Sequence, residues 1–257
     1  MIYVTHIYVV VKMILGIVGS PRRGRLTDQL VTRCLEGAKV TGVETEKVYL
    51  IDYKVPFYTE EVSCPDKLNS LWEAADAYVM GAPVYWGSIN GLTKDYMDTV
   101  KICDVKGKYG LGISVAGGTG RGLCSAIQSL YRFFYHRQIR GIDPTPVSRF
   151  NFENALEVVT QSGRSLAELS RQRKRFEGDG DRMQHYEKLP FLNYTFLDEI
   201  LLLAGQLIEI SDEKPALSDA RKEYDVARSM IKQGKRTEAI EHAVRAYNLL
   251  YFDAPKT

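Results

Sequence analysis

The residues best suited to chemistry in this chain are three small-residue loops, not a cluster of acids and bases. The first is Leu15–Thr27, where a short apolar run gives way to Gly19, Ser20, Pro21 and Gly24 and then to a helix start. Such a loop aims backbone N–H groups and the positive end of a helix dipole at one spot. Ser20 and Thr27 add hydroxyl donors, and Arg22 adds a forked cation. Together these make a phosphate cradle, although an ordinary strand-to-helix turn with a solvated arginine has the same composition. The second loop, Ala82 to Leu92, has a proline-fixed backbone, two aromatics and Gly87. Backbone N–H groups at Tyr85, Trp86 and Gly87 could meet the O and N edge of a flat heterocycle, and either ring could stack on it. Core or interface packing would account for the same two rings. The third loop, Gly117–Gly122, is glycine-rich, but its spacing is wrong for a dinucleotide fingerprint. No Gly-x-x-x-x-Gly-Lys-Ser/Thr motif occurs, which argues against a P-loop NTPase.

The elements that would position these loops alternate strictly. Strands are expected at Met13–Val18, Val43–Ile51, Ala77–Ala82 (stopped by Pro83), Lys108–Ala116 and, interrupted by Pro144 and Pro146, Gly141–Val147. Helices are expected from Leu26, then over Asp66–Ala75, Ile89–Val100, Leu123–Phe134 and Ala155–Leu169. Strand–helix alternation predicts an α/β doubly wound, mostly parallel sheet with right-handed crossovers. In such sheets ligands bind beyond the strand carboxyl ends, where all three loops fall. A phosphate cradle after the first strand and a flat-ring loop after the third is the pattern of a flavin mononucleotide (FMN) site.

Gly19-Ser20-Pro21-Arg22 with Thr27, followed by Ala82-Pro-Val-Tyr-Trp-Gly-Ser-Ile-Asn-Gly-Leu-Thr-Lys-Asp95, resembles the NADPH-dependent FMN reductases of flavodoxin-like fold, on the branch that includes the iron–sulfur flavoproteins. The resemblance implies a five-stranded sheet of order 2-1-3-4-5 and an FMN-dependent oxidoreductase. It implies NAD(P)H as electron donor and a quinone, flavin or protein as acceptor. By matching positions, Ser20, Arg22, Leu26 and Thr27 would hold the phosphate. Pro83, Val84, Tyr85, Trp86, Gly87 and Ser88 would frame the ring, and Gly117, Gly118 and Thr119 would close the third side. No side-chain acid or base is expected. An FMN-binding electron carrier without its own nicotinamide site is the alternative. Arg25-Leu26 stand where the family has Gly-Asn, so position 26 offers an N–H but no amide side chain. The family's iron–sulfur branch carries a compact four-cysteine run before the second helix. Here that segment holds Cys64 alone, so FMN without a cluster is expected.

The rest of the 257 residues bounds the setting. An apolar content of 45%, a charged content of 26% and a net charge of +2 describe a soluble globular protein and not a dedicated nucleic-acid binder. Cys34, Cys64, Cys103 and Cys124 have no C-x-x-C spacing, which fits a reducing cytoplasm better than a disulfide framework or a zinc site. The histidines are equally scattered and read as structural. No segment reaches the ~20 apolar residues of a membrane span. The apolar start, Met1 to Val11, is expected to be an extra edge strand or to precede the true start at Met13. The basic run Arg171–Arg175 could grip the 2′-phosphate of NADPH or a nucleic acid, or simply be a solvated helix end. Two parts are expected: a flavodoxin-like FMN-binding domain over 13–172 and a helical extension over 190–257. The extension comprises a strongly apolar helix, Phe196–Ile208, and a hairpin around Gly234-Lys235 that resembles half a tetratricopeptide unit. The extension is expected to dock on the first domain or on a partner subunit, and so apolar a helix predicts an interface, hence a homodimer or homotetramer with the flavin near the boundary.

Overall fold

The computed structural model describes residues 13–212 and 215–252; the start discussed above lies outside them. The elements in chain order are β1 (Met13–Val18), α1 (Leu26–Lys39), β2 (Glu44–Tyr49), α2 (Asp66–Ala74), β3 (Ala77–Tyr85), β4 (Ser88–Ile89), α3 (Gly91–Thr99) and β5 (Tyr109–Ala116). There follow α4 (Leu123–Arg137), β6 (Arg140–Gly141), β7 (Thr145–Ser148), α5 (Phe152–Ser170), α6 (Asp179–Glu187), α7 (Phe196–Ile210), α8 (Pro215–Lys232) and α9 (Arg236–Tyr251). The sheet runs β2-β1-β3-β5-β6, with β7 also on β5 and β4 folded back on β3. All pairs but β3–β4 are parallel. The fold is therefore the flavodoxin-like α/β sheet in the expected order, its fifth position shared by two short pieces. Pro144 lies in the gap between those pieces, whereas Pro146, expected to interrupt the strand, stands inside β7 opposite Ser114.

Alternation along the buried strands builds a core on each face. Leu15, Ile17, Tyr78 and Met80 point to the side covered by α2, α3 and α4, where Trp72, Tyr96, Leu130 and Phe134 join them. Ile14, Val18, Val79, Leu111 and Ile113 point to the side covered by α1 and α5. A third cluster unites α7, α8 and α9 with Ala116, Leu123, Cys124 and Phe150 at the carboxyl end of β5. Of the two surfaces expected to receive the extension, this cluster uses the chain's own first domain, so the apolarity of α7 does not by itself argue for a subunit interface. Leu197, Ile200, Leu201, Leu203, Ala204 and Leu207 of α7 are covered within the chain itself.

The basic run is also corrected. Arg173 pairs with Asp76, Arg175 with Asp104 at 3.2 Å, and the Arg171 guanidinium donates to Thr41 O at 2.9 Å. Thr41, Asp76 and Asp104 precede β2, β3 and β5, so this run ties down the amino end of a parallel sheet. It sits at the end opposite the three loops and cannot grip a ligand bound in them.

Candidate functional site

Beyond Val18 the chain stays anchored: the Gly19 N–H donates to Gly81 O at 2.8 Å. Ser20 is buried and shapes the turn, its Oγ accepting the Arg22 N–H and donating to Arg22 O, both at 3.1 Å. No side chain caps α1 at Arg25, and the first N–H groups of a helix have no intrahelical partners. Leu26 is half-buried; Thr27 is buried with its methyl toward Gly81. Arg22 and Arg25 reach solvent, whereas Arg23 pairs with Asp52 and lies over the Tyr49 ring. The first-turn carboxylate, Asp28, accepts from Gly24 N at 2.7 Å, Lys47 Nζ at 2.9 Å and Tyr49 OH at 3.1 Å. Burial pushes its pKa up, and those donors outweigh burial to hold it below the ordinary carboxylate value.

The second loop differs from expectation in one respect: β3 does not stop at Pro83 but runs on to Tyr85. Pairing with β1 has already ended at Gly81, and the Pro83 carbonyl faces the Asn90 N–H at 3.2 Å, away from β5. The missing proline N–H therefore breaks no ladder. The strand turns back through Trp86 and Gly87, at φ 51° and 80°, onto Ser88 and Ile89. Two left-handed residues are the signature of a type I′ hairpin. A tryptophan there is strained, and its side chain is fully exposed (104%) beside a 41% exposed Tyr85. Neither ring packs in the core. Val84 and Ser88 are half-buried.

Asn90 and Thr93 join the first two loops, and the sequence reading missed both. Asn90 Nδ2 donates to Gly19 O at 2.8 Å, and Asn90 Oδ1 accepts from Thr93 Oγ1 at 2.6 Å. The contact is so close that a Cβ at Gly19 would lie 2.0 Å from Thr93 Oγ1. Asn90 stands at the N-cap of α3 without capping it, and the Asn-Gly-x-Thr spacing was the available signal.

The third loop is held from the C-terminal helices. Glu199 of α7, buried, accepts the Gly122 N–H at 2.7 Å and the Cys124 N–H at 2.8 Å. Tyr247 of α9 donates to Thr119 O at 2.7 Å, and Arg121 lies 5.2 Å over the Tyr247 ring. A Cβ on Gly122 would strike Gly87 Cα at 2.4 Å, and one on Gly117 would come within 3.9 Å of Leu26. The third loop thus touches both others. At Gly24, Gly87 and Gly118 a Cβ would meet nothing within 4 Å, so each loop leaves backbone open at a glycine. An uncapped helix start, glycine backbones and two exposed aromatics fit a phosphate-bearing cofactor with a flat ring.

The model of the NADPH-dependent FMN reductase family matches residues 13–142. The chain belongs to this family. An iron–sulfur flavoprotein of Methanocaldococcus jannaschii is 26% identical over 185 residues, 61% of this chain and 96% of that protein. Another, of Methanosarcina thermophila, is 30% identical over 138 residues, 48% of this chain and 72% of that protein. Among solved structures, a flavone reductase superposes with a TM-score of 0.50 at 20% identity, covering 62% of each chain. The NAD(P)H:quinone oxidoreductase of Methanothermobacter marburgensis does so at 0.50 and 15% identity, covering 61% of this chain and 100% of that one. At these identities the solved structures speak for the fold alone.

The cysteine arrangement of this family member does not fit an iron–sulfur cluster. Cys34 lies in α1, Cys64 before α2, Cys103 after α3 and Cys124 in α4. Among the described residues no three His, Cys, Asp or Glu side chains come together as metal ligands. Burial pushes the Cys64 thiol up to about 11. It pushes the Cys34 and Cys124 thiols higher still, which suits apolar packing rather than thiolate chemistry. No helix among the described residues is long and apolar enough to cross a membrane.

Proposed function

We propose that this chain holds one FMN across its three loops and passes electrons from NAD(P)H to a small-molecule or protein acceptor. The observation that supports the reading is that the third loop touches both others, Gly122 against Gly87 and Gly117 against Leu26, beyond the carboxyl ends of a parallel sheet. In this reading the first-turn N–H groups at Leu26 and Thr27, with Arg22, receive the phosphate, and Ser20, whose hydroxyl is bonded to Arg22, holds the turn that aims them. Pro83 to Ser88 frame the ring from one side, and Gly117, Gly118 and Thr119 from the other. Bound FMN supplies two-electron chemistry at its ring. The protein's part is to orient that ring and to offer backbone donors to its polar edge. No side chain of the site is assigned as a proton donor or acceptor, and no iron–sulfur cluster takes part. Residues 13–172 act as the FMN-binding domain, with 190–257 as its helical extension.

A homodimer or homotetramer belongs to the same reading, because Trp86 and Tyr85 leave large rings exposed at the second loop. The test is anaerobic stopped-flow of the FMN-loaded protein with NADPH and NADH in turn. Rapid bleaching of the flavin by one of them is expected. Bound flavin that neither nucleotide reduces would instead favour the electron carrier.

A further inference from the structure

Between the flavin loops and the C-terminal helices lies a cavity of about 420 Å³, within the range of small-molecule sites. Gly87, Arg121 and Ser125 line it from the loop side; Phe196, Ile200 and Ile240 line it from α7 and α9. We propose that this cavity is a binding site for a flat, largely aromatic molecule carrying a hydrogen-bond-accepting oxygen, and that the helical extension builds this site within a single chain.

The chemistry of the lining sets the class. The helix side is apolar apart from Glu199, whose two carboxylate oxygens already accept the Gly122 and Cys124 N–H groups. Those two bonds hold the buried carboxylate against the third loop, and the rest of the wall is apolar. The polar groups left to greet a ligand are the Arg121 guanidinium, a donor only, and the Ser125 hydroxyl, which can donate as well as accept. Arg121 is held in place, its guanidinium over the Tyr247 ring and its loop tied to Tyr247 through Thr119. A ligand carbonyl or similar oxygen satisfies such donors, and an aromatic body satisfies the rest. Phe196, the first residue of α7, keeps its ring 86% exposed, although the neighbouring positions of the helix are buried. A ring left in water beside an apolar cavity gives an aromatic ligand a face to stack on.

Position gives the site its meaning. Gly87 and Gly122 belong both to this cavity and to the loops assigned to the cofactor. That the occupant exchanges electrons with the flavin rests on the FMN reading above; that the cavity binds such a molecule does not.

The test is calorimetric titration of the oxidised, FMN-loaded protein with 2-methyl-1,4-naphthoquinone as probe. Saturable binding at one per chain is expected. Ile240→Trp, which fills the cavity from a half-exposed position, should weaken it at least tenfold. Phe196→Ala and Arg121→Gln should weaken it several-fold, and Ile240→Val should stay within twofold of the parent. FMN affinity should be unchanged in Ile240→Trp and Phe196→Ala, which reports intact folding. No saturable binding, or equal binding by the parent, Ile240→Trp and Phe196→Ala, overturns the proposal. If the protein fails to take up FMN, the reading above fails. The same titration on the FMN-free protein still decides whether the cavity binds.

Discussion

Trp86 carries a left-handed backbone and a solvent-exposed ring, two features that folding alone does not favour. A left-handed non-glycine residue costs about 1–2 kcal/mol, and such strain collects at functional sites. Trp86→Gly should therefore raise stability by about 1 kcal/mol in urea denaturation while weakening FMN binding; stability lost together with affinity would mean the ring supports the fold. Arg22 reaches solvent at the mouth of the first loop. Arg22→Ala should weaken FMN by about 1.5–3 kcal/mol, the scale of a hydrogen bond to a charged group. An unchanged flavin titration would leave it a solvated arginine. Glu199→Ala strips two N–H groups at the start of α4 of their carboxylate, at about 1.5–3 kcal/mol for each such bond. Its thermal midpoint should drop well below that of the parent. The glycine loops were legible because their residue types have few other uses. Asn90, Glu199 and Tyr247 were not, because each binds a loop 71, 77 or 128 positions away, a distance that local pattern does not encode.

Strands and helices were legible wherever a period of two or 3.6 is carried by buried aliphatics, as in β1, β3, β5, α1 and α5. The misreading at Pro83 came from treating proline as a stop, when its donor is dispensable on the side where the neighbouring strand has ended. The closeness of α1 to α5 was also hidden. Cβ atoms at Gly37 and Gly163 would lie 1.9 Å from Thr160 O and Cys34 O, so the two helices pack backbone to backbone. Helix α6 guards the short strand β6: His185 Nε2 donates to Gly141 O at 2.7 Å, and Tyr186 OH donates to Ile139 O at 2.5 Å. With Nε2 donating, Nδ1 accepts from Arg140 Nη1 at 3.3 Å, a geometry that requires the neutral ring. Burial, chiefly, and the Arg140 charge lower the His185 pKa, against the Gly141 contact, which raises it. A histidine whose pKa is lower folded than unfolded binds more protons when unfolded. Its contribution is thus complete above the ordinary value near 6.5 and shrinks as pH falls below it. The thermal midpoint should decline from pH 7 to pH 5.5, and His185→Gln should flatten that decline. An equal slope in the variant would place the effect elsewhere.

At the scale of the molecule, a flavodoxin-like sheet and a helical cap share the third loop, so the extension is part of the site's support rather than an appendage. Ending the chain at Lys188 would uncover Ala116, Leu123, Cys124 and Phe150 and release Glu199 and Tyr247 from the loop. The shortened protein should aggregate or bind FMN far more weakly; a soluble form with full affinity would show that the helices only cap their own domain. Light scattering should report a dimer or tetramer, and a monomer would contradict that part of the reading. The apolar α7 suggested an interface from sequence because its partners, α8 and α9, lie later in the chain, and amphipathicity alone does not say which surface a helix covers. The most direct test of the central claim is titration of the flavin-free protein with FMN, followed by mass spectrometry of the cofactor released from the saturated protein. One FMN per chain, with no FAD and no stoichiometric iron, is the predicted result. FAD as the retained cofactor, or no flavin held after reconstitution, would contradict the account.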